Sequence, residues 1–500
     1  MWGTGMKRNS LFLLVLSAIV LALSSCSGYW YNPGGGTGGG GTPPPPPTAT
    51  LNLTFQDAPP ANTSIASFKV AITGVALNPA GGGPAVNLTL SPNPYVVELT
   101  RLASDSAFLG SFTVPSGSYS SITVALANPD ITFANQSGGT VTGCLTGSVC
   151  EITPAAAGNL TVSTAPFPLT LSANGQSGLA LDFNLNNALT ATAGDLGVDF
   201  TAAGVLGAAT LPRTGTAFAA DALDLLEDFT GTVTVVSSSS ITVQSGTRGT
   251  LTGTLNSSTA YYDPLSTCPA LDVTCLHTGQ TLSVDAALNL NGSLTIRSVD
   301  LLDTTSVDEI EGTVVLTGPP PSTQFNLVLS DKVVASGNAS LSGAVAGNIV
   351  LVTLSAAPAF QVDTDGLTVP PAPLSIFQGG SDTSVLFNGQ TVMVRVTAAA
   401  GSSGAGDLTA TVDRVLLRYT RTTAAVTGAV ASPYFYLDAA TLPPYFSILN
   451  TAQVQIFPNV TNYDGVSDVT GLAPGDIVSI RALYIRSAAP PFLAAKVRKH

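Results

Sequence analysis

The amino-acid sequence predicts an all-β protein of several small domains, and three observations carry that prediction. Charged residues make up 9% of the 500 positions and hydrophobic ones 45%, with 50 glycines and 34 prolines, a composition of strand formers and turn residues. Short runs alternate apolar with polar residues and end at Gly, Pro, Asn or Ser, which is the pattern of strands. Length argues for two to four domains.

The order of elements begins with a targeting segment. Lys7 and Arg8 precede an apolar run, Leu11 to Leu23, interrupted only by Ser17. A membrane-spanning helix wants roughly 20 apolar residues, so this shorter run reads as the core of a secretory signal. Leu23-Ser24-Ser25-Cys26 follows directly, and it resembles the lipobox of bacterial lipoproteins. That resemblance implies a signal peptide over 1–25, lipidation of Cys26 and attachment to a membrane. Ser27, where some lipoproteins carry Asp, is compatible with transport to an outer membrane. The alternative is an ordinary secretory signal with an incidental cysteine. Residues 26–48 read as a stalk: Gly34 to Gly41 is broken only by Thr37, and Pro43 to Pro47 favours an extended spacer. The glycine tract satisfies G-x-G-x-x-G, but low complexity accounts for the match, and it carries no nucleotide-binding weight.

The first folded unit is expected over 49–211. Leu51, Leu53 and Phe55 alternate on an opening strand that ends at Asp57-Ala58-Pro59-Pro60. Phe68, Val70, Ile72, Val75 and Leu77 form a second, with Gly74 marking a bulge. Val114-Pro115-Ser116-Gly117-Ser118-Tyr119 is a turn into a third. Leu179, Leu181, Phe183 and Leu185 alternate with Ala180, Asp182 and Asn184 late in the unit. The opening strand, this turn and Leu181-Asp182-Phe183-Asn184-Leu185 resemble domain-of-unknown-function family 4382. The resemblance implies a transthyretin-like or immunoglobulin-like β-sandwich and brings no assigned activity.

A connector rich in Asp and Leu, Asp221 to Asp228, separates this unit from what reads as three repeats over 226–305, 306–420 and 421–500. Their starts are Phe229-Thr230-Gly231-Thr232-Val233, Ile310-Glu311-Gly312-Thr313-Val314 and Val426-Thr427-Gly428-Ala429-Val430. Later segments led by Gly279-Gln280, Gly389-Gln390 and Gly475-Asp476 also match. Each precedes a closing strand, so each unit has the size of a small barrel. The repeats resemble domain-of-unknown-function family 5666, which implies oligonucleotide-binding-fold barrels in envelope proteins. The middle copy is longer, with insertions at Val362-Asp363-Thr364-Asp365-Gly366-Leu367 and near Pro370.

Cysteine usage points to an oxidising compartment. Apart from Cys26, two close pairs remain, Cys144 with Cys150 and Cys268 with Cys275, each expected to form a local disulfide. A metal site from Cys268, Cys275 and His277 is the alternative, but no fourth ligand is evident.

The remaining sequence offers little chemistry. Formal net charge is −13, and loss of Lys7 and Arg8 with the leader makes it −15. That excludes a phosphate-binding surface of the usual kind, so nucleic acid is not expected as a partner. The aromatic run Tyr434-Phe435-Tyr436 reads as strand packing, and Lys496, Arg498 and Lys499 read as a solvated tail. Only His277 and His500 could serve a triad, and no nucleophile elbow, zinc-protease motif or Walker lysine occurs. Carboxylate pairs exist at Asp363 and Asp365, Asp464 and Asp468, and Glu309 and Glu311. Asp-x-Asp-Gly reads first as a turn, then as a calcium loop. The expectation is a lipid-anchored envelope protein with a non-enzymatic binding or structural role, without a cofactor or metal, whose ligand is an envelope protein or a glycan. The alternative is a polysaccharide-processing or other hydrolytic lipoprotein with a carboxylate site, which should gather several acidic side chains in one cleft.

Overall fold

Strand Thr48–Asp57 shows how the first region is built. Leu51, Leu53 and Phe55 are fully buried on one face, as their alternation requires. Asn52, Thr54 and Gln56 on the other face are buried too, because the next region lies over them: Asn52 Nδ2 donates to Leu290 O at 2.7 Å. The computed structural model describes residues 46–58, 64–135, 143–192, 195–216, 222–315, 320–401, 408–446 and 452–500. Cys26, the leader and the glycine tract lie outside these residues, as do Pro59 and Pro60.

In the first region two sheets share one core. The opening strand pairs in parallel with Gln176–Phe183 and antiparallel with Ala107–Pro115, and Leu206–Leu211 completes a four-stranded sheet. The second sheet is built on the long pair Ile65–Pro79 and Gly117–Ala134. Phe183 from one sheet lies 6.2 Å, ring to ring, from Phe68 of the other and from Phe55 of its own. Cys144 and Cys150 are bonded to each other in the insertion that follows the long strand.

Beyond residue 221 the same five-strand plan occurs three times among the described residues. The first uses Ala222–Val236, Ser240–Ser245, Gly249–Thr254, Thr281–Asn289 and Leu294–Asp303. The second uses Glu309–Val315, Gln324–Val333, Ile349–Val362, Thr391–Ala400 and Leu408–Arg418, and it is a closed barrel. The third uses Thr420–Ala431, Tyr434–Leu437, Ala452–Ile456, Ile477–Tyr484 and Phe492–Lys499. In each, the third strand pairs in parallel with the last, and every other pairing is antiparallel. Each fourth strand is preceded by one 3-10 turn. Asp272, Asp382 and Asp468 cap those turns by accepting from the backbone N–H two residues on. Gly279, Gly389 and Gly475 then take φ of 87°, 91° and 92°, a conformation that makes glycine the natural residue at all three places.

Two sequence expectations change here. The backbone bonds of Gly279, Gly389 and Gly475 go to Val233, Val314 and Val426, so these three valines are equivalent. The third start is therefore Thr422-Thr423-Ala424-Ala425-Val426, four residues earlier than the Val426-Thr427-Gly428 match placed it. Ala424 stands where Gly231 and Gly312 stand, and Gly428 falls beyond, at an irregularity in the pairing with Tyr434–Leu437. Gly231 and Gly312 are required by close approach: a Cβ there would come within 2.3 Å of Gln244 O and 2.1 Å of Val328 O. The second change concerns the connector, whose described part is the start of a strand. Ala222 to Thr230 is buried without a break. Near Pro370 the proline-rich segment opens the helix Pro371–Gln378, where proline suits the first turn.

Residues 46–500 form one compact unit.

Candidate functional site

The buried polar residues of that unit converge on Asp228, which ends the connector expected from the sequence. Asp228 has φ +49°, a strained value for a non-glycine residue, at an irregularity between Leu226 and Phe229 in the strand pairing. Its backbone N–H donates to Asp285 at 2.7 Å. Its carboxylate takes two bonds from Arg481 of the third barrel, at 2.6 and 2.8 Å, and is also bonded by Arg421. Arg418 of the second barrel reaches it at 3.3 Å. Its carbonyl accepts from Arg101 of the first region and from Arg248 at 3.0 Å. All four folded regions thus meet on one residue.

Around this centre the pairs continue. Glu227 takes Lys496 Nζ at 2.7 Å, and its N–H donates to Asp105 of the first region at 2.8 Å. Arg498 binds Asp464 at 2.7 Å and donates to the carbonyls of Leu102 at 3.0 Å and Asp105 at 2.9 Å. Arg418 is bonded to Asp363, and Arg101 reaches Glu311 at 3.4 Å. Lys496 and Arg498 are therefore buried structural cations, which corrects the solvated-tail expectation for them. Buried charges of this kind need partners, since an isolated one is strongly disfavoured.

The carboxylates divide into two electrostatic classes. Burial alone would raise Asp228, but Arg481 and Arg421 hold it well below the usual carboxylate range. Burial pushes Asp285 up to about 6 against the pull of Arg481, and Asp300 to about 7 against Arg418. Burial raises Asp365 well above its ordinary value, with Asp300 and Asp285 adding to the effect. One oxygen each of Asp228, Asp285 and Asp365 lies within 4.8 Å of the others. Asp285 and Asp365 border a cavity of about 240 Å³ that Glu227, Tyr262, Arg297, Ser298 and Arg481 also line. Arg481 sits among them: it donates to Asp365 Oδ2 at 2.7 Å, and its guanidinium stacks 4.3 Å from the Tyr419 ring centre.

The pairs singled out in the sequence fare differently. Asp363 and Asp365 do form a turn, with Asp365 N–H donating to Asp363 at 3.1 Å, and both carboxylates then reach arginines. Asp464 and Asp468 separate, one to Arg498 and Arg213, the other to cap a turn. Glu309 pairs with Arg414, while Glu311 faces Arg101 and Arg418. Cys268 and Cys275 are bonded to each other, so neither sulfur is a thiolate ligand beside His277. Phe435 is the buried member of the aromatic run, and Tyr436 hydroxyl accepts from Gln453. The sequence reading passed over Arg101, Arg418, Arg421 and Arg481, and it took Arg498 for part of a solvated tail. Their signal was a charge inside an apolar strand, as in Val478-Ser479-Ile480-Arg481-Ala482-Leu483.

The architecture and the site define an all-β protein of several sheets and barrels, held in one unit by buried ion pairs. Within it, residues 48–198 match the family described as Domain of unknown function (DUF4382). No curated protein matches the chain. No solved structure matches it either. No helix among the described residues is long and apolar enough to cross a membrane.

Proposed function

We propose that this is a lipid-anchored cell-envelope protein, held at the outer membrane through Cys26, with a non-enzymatic binding or structural role. The observation that carries the non-enzymatic part is the position of Arg481. Its guanidinium binds Asp228 and Asp365 together, so the gathered carboxylates serve as counter-ions between regions. A cavity at the junction of the first region with the first two barrels suits a binding role. It holds about 240 Å³ and is walled by Tyr95, Phe108 and Phe229, with Lys69 and Arg248 at its polar side. The three barrels are copies of one module resembling domain-of-unknown-function family 5666, a reading supported by their common strand order and by the turns at Gly279, Gly389 and Gly475.

The hydrolytic reading draws on one specific observation, the convergence of Asp285 and Asp365 on a cavity. It is the weaker of the two. A glycosidase pair must stand about 5–5.5 or 6.5–9.5 Å apart across a sugar, with one carboxyl free to give a proton. Here Arg481 donates to Asp365 and lies 3.7 Å from Asp285.

Fractionation with fatty-acid labelling tests the anchor. The wild type should carry label and sediment with outer membranes, and Cys26→Ala should lose both properties. An unlabelled wild type, or a Cys26→Ala protein still held by membranes, would overturn the reading.

A further inference from the structure

The cavity where the first region meets the first two barrels has walls that select the chemistry of a ligand. Tyr95, Phe108 and Phe229 line it, together with Val96 and Leu226. Among the described residues, strand Tyr95–Glu98 pairs with Ile65–Pro79 alone, so its other edge is free and consecutive residues from Tyr95 to Glu98 line the cavity. Three cations and one acid share the wall: Lys69, Arg101, Arg248 and Glu98. The acid is already satisfied. Glu98 accepts from the backbone N–H of Phe68 at 2.9 Å and of Arg101 at 3.0 Å, and from the Thr100 hydroxyl at 2.9 Å. The cations are less fully matched. Lys69 Nζ donates to Asp130 at 2.7 Å and to Ala346 O at 3.1 Å, which uses two of its three N–H groups among the described residues. Arg101 Nε is buried with no hydrogen-bond partner. Burial holds Arg248 below its ordinary value, and Arg101 pushes the same way, ahead of the pull of Asp105. Lys69 and Arg248 each keep 17% of the side chain exposed, so a ligand can reach their charge.

We propose that this cavity binds a small aromatic acid, with its ring among Tyr95, Phe108 and Phe229 and its one carboxylate towards Lys69 and Arg248. The inference rests on the binding role proposed above and names the ligand class for it. Volume sets the size. A cavity of about 150 Å³ holds benzene, so about 240 Å³ suits one or two fused rings with a small substituent. Three aromatic walls favour a flat ring, since offset and edge-on aromatic pairs attract beyond the area they bury. A carboxylate makes strong charge-assisted bonds to ammonium and guanidinium groups. A neutral or cationic ligand of the same shape would leave the excess positive charge of the wall unanswered.

Isothermal titration of the full chain in detergent micelles, with micelles alone as the blank, tests the site with three probes of one shape: 2-naphthoate, 2-naphthamide and 2-naphthylmethylamine. Naphthoate should fill one site per chain and bind at least tenfold more tightly than the amide, and the amine more weakly still. It should also raise Tm as its concentration rises, as a ligand of native protein does. Val96 lines the cavity and is 47% exposed, so Val96→Trp should keep the ligand-free Tm while abolishing saturable binding. Lys69→Met should bring naphthoate close to the affinity of the amide and leave the amide unchanged, and Lys69→Arg should restore the preference. A wild type with no saturable naphthoate site would overturn the proposal. So would an amine bound as tightly as the acid, binding unchanged in Val96→Trp, or a preference for the acid that survives Lys69→Met. Any of these would leave the anchor standing, because fractionation of Cys26→Ala decides that independently.

Discussion

The first and third barrels share a strand plan and differ in the sign of their charge at equivalent positions. Counting from the turn glycines, Asp285 of the first barrel corresponds to Arg395 of the second and Arg481 of the third. On the closing strands, Ser298 and Asp300 correspond to Lys496 and Arg498 through the shared pairing of Val299 with Val284 and Val497 with Ile480. The first barrel is thus acidic at two of these three positions, Asp285 and Asp300, where the third is basic. The two meet there: Arg481 lies 3.7 Å from Asp285, and Lys496 lies 2.7 Å from Glu227. Copies of one fold with identical faces would have no preferred neighbour. Opposite charge at matched positions gives each copy one place, because like charges brought together and desolvated are strongly disfavoured.

Breaking the centre should have the largest effect. Asp228→Asn leaves Arg418, Arg421 and Arg481 buried around a neutral amide, and it should cost about 3–5 kcal/mol of stability by chemical denaturation. A loss under about 1 kcal/mol would mean that the arginines find water or other carboxylates, and the convergence on Asp228 would be incidental.

A pair at the same junction sharpens the comparison. Lys496→Met alone strands Glu227 and should cost about 3 kcal/mol, while adding Glu227→Gln should recover most of the loss. Strict additivity of the two changes would show that this ion pair couples nothing.

How much of this could be read from the sequence depends on the range of the interaction involved. Alternation at Leu51, Leu53 and Phe55 is a local property, and the strand follows from it. The turns at Gly279, Gly389 and Gly475 were equally plain, because positive φ selects glycine residue by residue. The disulfides joined cysteines close in sequence. The third start was misplaced by four residues, because Ala424 does the work of Gly231 and the visible glycine, Gly428, belongs to an irregularity further on. The candidate site was legible only at Asp363 and Asp365, where a turn signal drew attention to them. Asp228 was read as part of a linker, and Asp285, Asp300 and Arg481 drew no notice. Their meaning arises from strands far apart in sequence, as in the bonds from Arg481 to Asp228 across 253 residues. Lone charges in apolar strands were the available clue.

The smallest effect is expected from pH. Asp285 and Asp300 have folded-state values raised above those of the unfolded chain. Their contribution is therefore fully present below about pH 4 and is lost as pH rises through about 6 and 7. Asp228 and Asp464, held low, act in the opposite sense and lose their contribution on acidification. Asp300→Asn should match the wild type near pH 4 and gain a growing advantage as pH rises towards 8. An advantage that shrinks with rising pH would contradict the assignment of Asp300 as a raised, unpaired acid.

Calorimetry of the full chain tests most directly the claim that buried charge welds the four regions into one body. Wild-type protein should unfold in a single transition whose calorimetric and van't Hoff enthalpies agree, as a cooperative unit requires. Asp228→Asn should broaden or split that transition. Separate transitions in the wild type, one for the first region and others for the barrels, would contradict the account.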